Sequence, residues 1–345
     1  MKVGIIGASG YTGAELLRLL AGHPEADAAY VTANTFRGTP VTGLYPHLAT
    51  YAKMAFEEFD LEKALGSAEV FFVALPHGKA MEVVPGLYEG GAKVIDLSAD
   101  YRLDSAEEYK EWYGAEHTSP DLMREAVYGL PEFFRGEIRG TALAAVPGCY
   151  PTAVMLALAP LLAKGIVSAE GLIADAKSGV SGAGRALSLG AHFAQCDESV
   201  GPYNVGRHRH TPEMRLYLSR LCGSPVSLVF APHLIPMSRG ILATCYGRIE
   251  KAVSTAELVQ LYNDFYQESP FVVVLPEGEM PQSKNVRGSN FCHVSPLVDA
   301  ATNTVIAVSA IDNLVKGASG AALQCMNLMT GCPEDMGLGA LPVFP

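Results

Sequence analysis

The sequence predicts two domains of different class: an α/β domain built on a doubly wound parallel sheet, then an α+β domain with a mostly antiparallel sheet. Three observations carry this. The chain has 345 residues, more than one ordinary hydrophobic core holds. Over the first 150 or so residues, short apolar runs alternate with amphipathic stretches, the pattern of parallel strands joined by helices. Beyond that point strand-like runs follow one another with few helices between them.

The elements follow in order. Residues 2–6 form a buried-strand pattern. Residues 11–21 place Leu16, Leu17, Leu19 and Leu20 on one face and Glu15 and Arg18 on another, an amphipathic helix. Strands are predicted over 28–33, 70–75 and 93–97, with a helix over 79–89. Residues 104–125 are charged, without a long apolar run, and read as a helical surface insertion. Later come a helix over 152–164 with Pro151 at its first turn, strands over 172–177, 226–231, 241–249 and 271–275, a helix over 255–267, and an Ala- and Gly-rich closing helix over 314–329.

Composition excludes several classes. Hydrophobic residues make up 49% and charged ones 18%, which fits a globular chain. The net charge of −11 disfavours nucleic acid and anionic membrane as partners. The apolar run from Ala153 to Ala163 is too short to span a bilayer, and no signal peptide is recognisable after Met1. Seven scattered cysteines, an odd number without a C-x-x-C, speak against a disulfide framework or a zinc ribbon. The expected compartment is a reducing cytoplasm.

Two motifs carry chemistry. Gly7-Ala8-Ser9-Gly10-Tyr11-Thr12-Gly13 follows the first strand and opens the first helix. Glycines there let the backbone approach a pyrophosphate, and the helix N-terminus supplies N–H groups and positive dipole. Gly7, Ser9, Gly10, Tyr11, Thr12 and Gly13 are therefore the candidate dinucleotide cradle; a tight turn with close helix packing is the alternative. No carboxylate follows the second strand, where one would hold the ribose of NAD, but Arg37 does. Arg37 suits a 2′-phosphate, so the expected cofactor is NADP(H); a solvated loop arginine is the alternative.

The second motif is Pro147-Gly148-Cys149-Tyr150-Pro151. It sets Cys149 near the start of an apolar helix, where partial positive charge favours thiolate and Gly148 permits close approach. Cys149 is the candidate nucleophile. A base or cation should accompany it. Arg207-His208-Arg209-His210-Thr211-Pro212-Glu213 concentrates titratable groups, with His208 and His210 on one side of an extended segment. Thr211 is expected to cap a helix that has Pro212 at its first position. A metal pair at His208 and His210 lacks an evident third ligand, so no metal is expected; a solvated basic loop is the other alternative.

These pieces resemble the N-acetyl-gamma-glutamyl-phosphate reductase family nearly end to end. The resemblance also rests on Leu75-Pro76-His77-Gly78, on residues 96–102 (Asp-Leu-Ser-Ala-Asp-Tyr-Arg), on residues 128–132, on the run Lys177–Arg185 and on Asp312–Gly320. The chain departs from the pattern at Val146, where the family often has Asn, and at Phe36, which precedes Arg37 in place of Ser.

The resemblance implies a Rossmann-like NADP-binding domain, residues 1–148 and 313–345, and a semialdehyde-dehydrogenase-type catalytic and oligomerisation domain, residues 149–312. It implies NADPH-dependent reduction of N-acetyl-gamma-glutamyl phosphate to the 5-semialdehyde in arginine biosynthesis. Phosphate is released through a thioester on Cys149, in a homodimer or homotetramer. His210 is then the acid/base, with His208 assisting. Arg102, Arg207 and Arg209 are candidates for the anionic substrate, and Glu213 for orienting a histidine or the substrate amide. Pro76 and the glycine-rich run with Ser178, Gly179, Ser181 and Gly182 join the cofactor set, as does Asn313 at the nicotinamide end. The enzyme rival is a homologous reductase of lysine biosynthesis acting on a carrier-linked aminoadipyl phosphate, which wants a basic docking surface; the net charge argues mildly against it. The His-Arg-His tract does not resemble the aspartate-semialdehyde dehydrogenase pattern. A nucleotide sensor without catalysis is the non-enzyme alternative, disfavoured by Cys149 standing with two histidines.

Overall fold

The computed structural model describes residues 1–344 and divides into two compact units, Met1–Pro147 with Ala318–Gly339, and Gly148–Gly317 with residues 340–344.

The first unit holds a six-stranded sheet. Its strands are β1 (Lys2–Ile6), β2 (Asp27–Val31), β3 (Val70–Val73), β4 (Lys93–Asp96), β5 (Val127–Tyr128) and β6 (Leu143–Ala145), ordered β2-β1-β3-β4-β6-β5. Every pairing is parallel. Strands covered on both faces read as unbroken apolar runs, and Val70–Val73 are all buried. The order turns back between β1 and β3, so the crevice at their C-terminal ends is the switch point where such sheets take ligands. The expected single helix over 79–89 is instead a short 3₁₀ turn, Ala80–Glu82, followed by a helix, Val84–Glu89. Pro85 explains the break, because it has no N–H to continue the first turn. The insertion forms two helices, Ala106–Tyr113 and Pro120–Glu125.

The second unit holds a seven-stranded mixed sheet. Its strands are β7 (Leu172–Gly179), β8 (Gly201–Pro202), β9 (Leu228–Ile235), β10 (Ile241–Arg248), β11 (Val272–Val274), β12 (Cys292–Asp299) and β13 (Thr304–Ile311), ordered β11-β12-β13-β10-β7-β9-β8. Two pairings, β7 with β9 and β11 with β12, are parallel; the other four are antiparallel. β12 and β13 were absent from the sequence reading. Pro296 hides β12, since proline argues against a central strand. It is tolerated because β11 pairs only as far as Val294, which leaves an edge beside Pro296.

One face of this sheet is covered by the helix Cys149–Ala163, almost wholly buried; Ser309 on β13 donates to Ala153 O at 2.7 Å. The helix starts at Cys149, three residues earlier than expected, with Gly148 as its cap (φ −64°, ψ 153°). Pro160 lies inside it and cannot donate to Leu156 O. Tyr266 Oη donates to that carbonyl at 2.6 Å, which satisfies it. The opposite face presents Ile173, Val229, Tyr246, Ile306 and Val308 to the outside, Ile173 and Val229 about half exposed. Among the described residues no helix is long and apolar enough to cross a membrane.

Candidate active site

Cys149 is the first residue of its helix, so its side chain lies among the orphan N–H groups and the positive end of the dipole. The turn before it is held by a buried carboxylate: Gly148 N donates to Glu213 Oε1 at 2.8 Å. Glu213 comes from the helix Thr211–Cys222. Its cap is His210, not Thr211, because Thr211 already has helical backbone and no side-chain cap is made. Gly148 is required by space: a Cβ there would stand 2.5 Å from His210 Nε2. His210 is thus pressed against the residue preceding the thiol.

His208 packs edge-on to His210 with ring centroids 4.8 Å apart, and also meets Tyr150, Tyr203 and Phe230. His210 N donates to His208 Nδ1 at 3.1 Å, which leaves the neutral ring's proton on Nε2. Burial, with Arg209 adding, pushes His208 down to about 4. Tyr203 Oη donates to Tyr150 Oη, and Tyr150 Oη to His233 O, both at 3.1 Å. Burial pushes Tyr203 up to about 12 and Tyr150 up as well, so both stay protonated near neutrality. Arg207 and Arg209 are exposed on the segment carrying the histidines.

The glycine-rich run after β7 is clamped by the turn between β9 and β10. Gly179 N donates to Gly240 O, Val180 N to Met237 O and Ser181 N to Ser238 O. A Cβ on Gly179 would lie 2.8 Å from Ser238 O, so glycine is needed for that approach. Gly182 passes Ser178 Oγ closely. Asn313 is buried here: its Nδ2 donates to Ser181 Oγ at 2.9 Å and its Oδ1 accepts from Gly240 N at 2.7 Å. The structure thus brings together Cys149, His208, His210 and Glu213, and separately ties Asn313 to the glycine-rich run. Sequence reasoning missed Tyr203, which had no motif around it, and the turn at 236–240, whose Pro and Gly were a usable signal.

In the first unit the glycine loop joins β1 to the helix Tyr11–Leu20. Gly7 has φ +88°, and a Cβ would strike Ala74 O at 2.5 Å. Gly13 packs on Ala8 so closely that a Cβ would meet its Cα at 2.5 Å. The helix has Gly10 as cap, no side-chain cap and no acid in its first turn, which suits an anion. Ser9 and Gly10 carbonyls accept from Tyr45 Oη, and Thr12 O from Ser319 Oγ; Tyr11 is exposed. Arg37 pairs with Glu58 at the surface. A second loop in this unit, Pro76–Gly78, is anchored by Asp100, whose carboxylate accepts from Gly78 N, Ala80 N and Tyr109 Oη. Arg102 is buried, donating from Nε to Val146 O and from Nη2 to Leu97 O. The described residues contain no His, Cys, Asp or Glu group that could hold a metal.

Residues 2–141 match the family described as semialdehyde dehydrogenase, NAD binding domain, and residues 149–313 match its dimerisation domain. The N-acetyl-gamma-glutamyl-phosphate reductase of Symbiobacterium thermophilum is 51% identical over all of this chain and 99% of its own length. That of Pelotomaculum thermopropionicum is 48% identical with the same coverage. Among solved structures, aspartate semialdehyde dehydrogenase II of Vibrio cholerae, complexed with ASA, superposes with a TM-score of 0.72 at 15% identity, covering 96% of this chain and 98% of that one. Aspartate semialdehyde dehydrogenase of Candida albicans with NADP gives 0.71 at 16% identity, covering 95% and 98%. At such identities these structures speak for the fold.

Proposed function

The chain belongs to the semialdehyde dehydrogenase family, within its N-acetyl-gamma-glutamyl-phosphate reductases, and on that premise we propose how its own residues carry out the reaction. The enzyme reduces N-acetyl-gamma-glutamyl phosphate to N-acetylglutamate 5-semialdehyde, with release of phosphate, in arginine biosynthesis. The observation that carries the assignment of roles is the contact of His210 with the turn of Cys149.

Cys149 Sγ, as thiolate, attacks the acyl carbon, and the carbon–oxygen bond to phosphate breaks, leaving a thioester. NADP(H), when bound, supplies the two electrons of the reduction. The Gly7–Gly13 loop would hold its pyrophosphate, Arg37 its 2′-phosphate, and Pro76 and the run from Ser178 to Gly182 with Asn313 its other end. His210 gives a proton to the oxyanion of the hemithioacetal that forms on Cys149 and takes it back as the carbon–sulfur bond breaks to release aldehyde. The N–H groups at the helix start stabilise that oxyanion. His208, held neutral with Nε2–H, orients His210 and substrate, since a ring pushed down to about 4 does not carry a proton near neutrality. Arg207 and Arg209 receive the substrate's anionic groups. Glu213 sets the cysteine turn through Gly148.

The enzyme self-associates, and we assign a homodimer through the open face of the seven-stranded sheet, where Ile173, Val229, Tyr246, Ile306 and Val308 need cover. A thiolate nucleophile suits a reducing cytoplasm. The deciding experiment is a phosphate-dependent oxidation assay with N-acetylglutamate semialdehyde and NADP⁺, beside aspartate semialdehyde and a carrier-linked aminoadipate semialdehyde. Turnover confined to the first substrate supports the reading; preference for either of the others overturns it.

A further inference from the structure

Cys149 also meets a segment to which the proposed reaction assigns no role. Val315–Ser319 is a π-turn, a wide turn that tends to appear at functional sites. Its first part, up to Gly317, is built on Asp312, which is fully buried. Asp312 Oδ1 accepts from Leu314 N at 2.8 Å and Val315 N at 3.2 Å. Its Oδ2 accepts from Gly288 N at 2.7 Å, with Arg239 Nη1 at 3.6 Å. Its backbone carbonyl accepts from Gly317 N at 3.0 Å, the five-residue bond of the π-turn. That bond brings Gly317 against the nucleophile. A Cβ on Gly317 would stand 2.8 Å from Cys149 Cβ, 3.1 Å from its Cα and 3.3 Å from Ile311 Cδ1. Gly317 has no left-handed backbone, so space and not conformation demands glycine. Cys149 Cβ is fixed to a buried helix and has no far end to swing away.

We infer that the π-turn is a backstop for the nucleophile: Gly317, held in place by Asp312, fixes where the Cys149 side chain points. Both are positioning residues and neither touches the reacting atoms. The inference rests on Cys149 being the nucleophile. A displacement of the thiol by a fraction of an ångström is expected to cost on the order of 10- to 100-fold in the chemical step.

The test compares Gly317→Ala with Cys149→Ser. Site-resolved iodoacetamide alkylation of Cys149 at neutral pH is followed beside kcat and the KM for NADPH, with circular dichroism to confirm folding. Folded Gly317→Ala should alkylate at Cys149 and turn over about tenfold more slowly or worse, with KM for NADPH unchanged. A folded Gly317→Ala with wild-type alkylation and kcat overturns the backstop even while Cys149→Ser is inactive; turnover by Cys149→Ser overturns the nucleophile instead. Should Gly317→Ala fail to fold, Asp312→Asn decides. It keeps the side chain's volume but cannot accept from both sides of the turn, so its alkylation should slow in the same way, and a wild-type rate overturns the inference.

Discussion

The two units bury ionisable groups of opposite type, and each pushes its group toward the neutral form. In the dinucleotide unit Asp96 is fully buried. Desolvation, with Asp100 adding, pushes its carboxyl up to about 7, and hydrogen bonds from Ser98 only partly offset this. In the cysteine unit burial and then Arg209 push His208 down to about 4. A packed interior penalises charge of either sign. What differs is the use. Asp96 ends β4, four residues before Asp100, whose carboxylate anchors the Pro76–Gly78 loop. His208 lies against His210, the acid/base of the proposed reaction. In the proposed reading the first unit holds most of the dinucleotide and the second moves the protons.

The sharpest way to break that division is to remove the thiol. Cys149→Ser should lower turnover by at least about 10³-fold, while NADPH binding, measured by fluorescence titration, stays as in the wild type. Loss of NADPH binding would mean that the units do not divide the labour in this way. The next effect lies within the cysteine unit. His210→Asn should cost about 10²- to 10⁴-fold in single-turnover rate, the range of acid–base catalysis, and His208→Asn clearly less. The reverse order would exchange their roles.

A smaller effect sharpens the contrast through stability. Asp96 has a folded value above its ordinary 3.8, so between about pH 4 and 7 the folded state holds a proton that the unfolded state has lost. Stability from this group falls as pH rises through that window and is flat above it. His208 has a folded value below its ordinary 6.5, so between about pH 4 and 6.5 the unfolded state holds the extra proton. Its contribution therefore rises with pH in that window. Urea midpoints measured across pH 4–7 should lose the falling component in Asp96→Asn and the rising component in His208→Asn, each on the order of a few kcal/mol at most. If both substitutions tilt the curve in the same direction, the opposition is wrong.

The sequence made some of this visible because the signals are local. Apolar runs such as Val70–Val73 mark parallel strands. The Gly7–Gly13 spacing and the turn at Cys149 place two motifs, since each is set by a few consecutive residues. β12 stays hidden behind Pro296, and β13 is an apolar run interrupted by Ser309, which faces inward to reach Ala153 O. Thr211 looks like a cap because its type and the following Pro212 fit one, yet the backbone turns helical one residue earlier than a Thr211 cap requires. The clamp of Gly179–Ser181 by residues 237–240 and the approach of Gly317 to Cys149 join segments far apart in the chain. No spacing records such contacts.

The smallest expected effect tests how the dinucleotide unit chooses its ligand. Arg37 is paired with Glu58, and both side chains are about two-thirds exposed. An exposed pair is worth about 0–1 kcal/mol, so a phosphate carrying close to two charges can take Glu58's place with bidentate hydrogen bonds. Arg37→Ala should therefore weaken NADPH by about tenfold, the equivalent of one charge-assisted hydrogen bond, and leave NADH nearly unchanged. Glu58→Gln, which removes the competitor and keeps the arginine, should tighten NADPH slightly. Equal losses for both dinucleotides in Arg37→Ala would mean that Arg37 only steadies the loop, and the 2′-phosphate would then have to be held by backbone donors after β2.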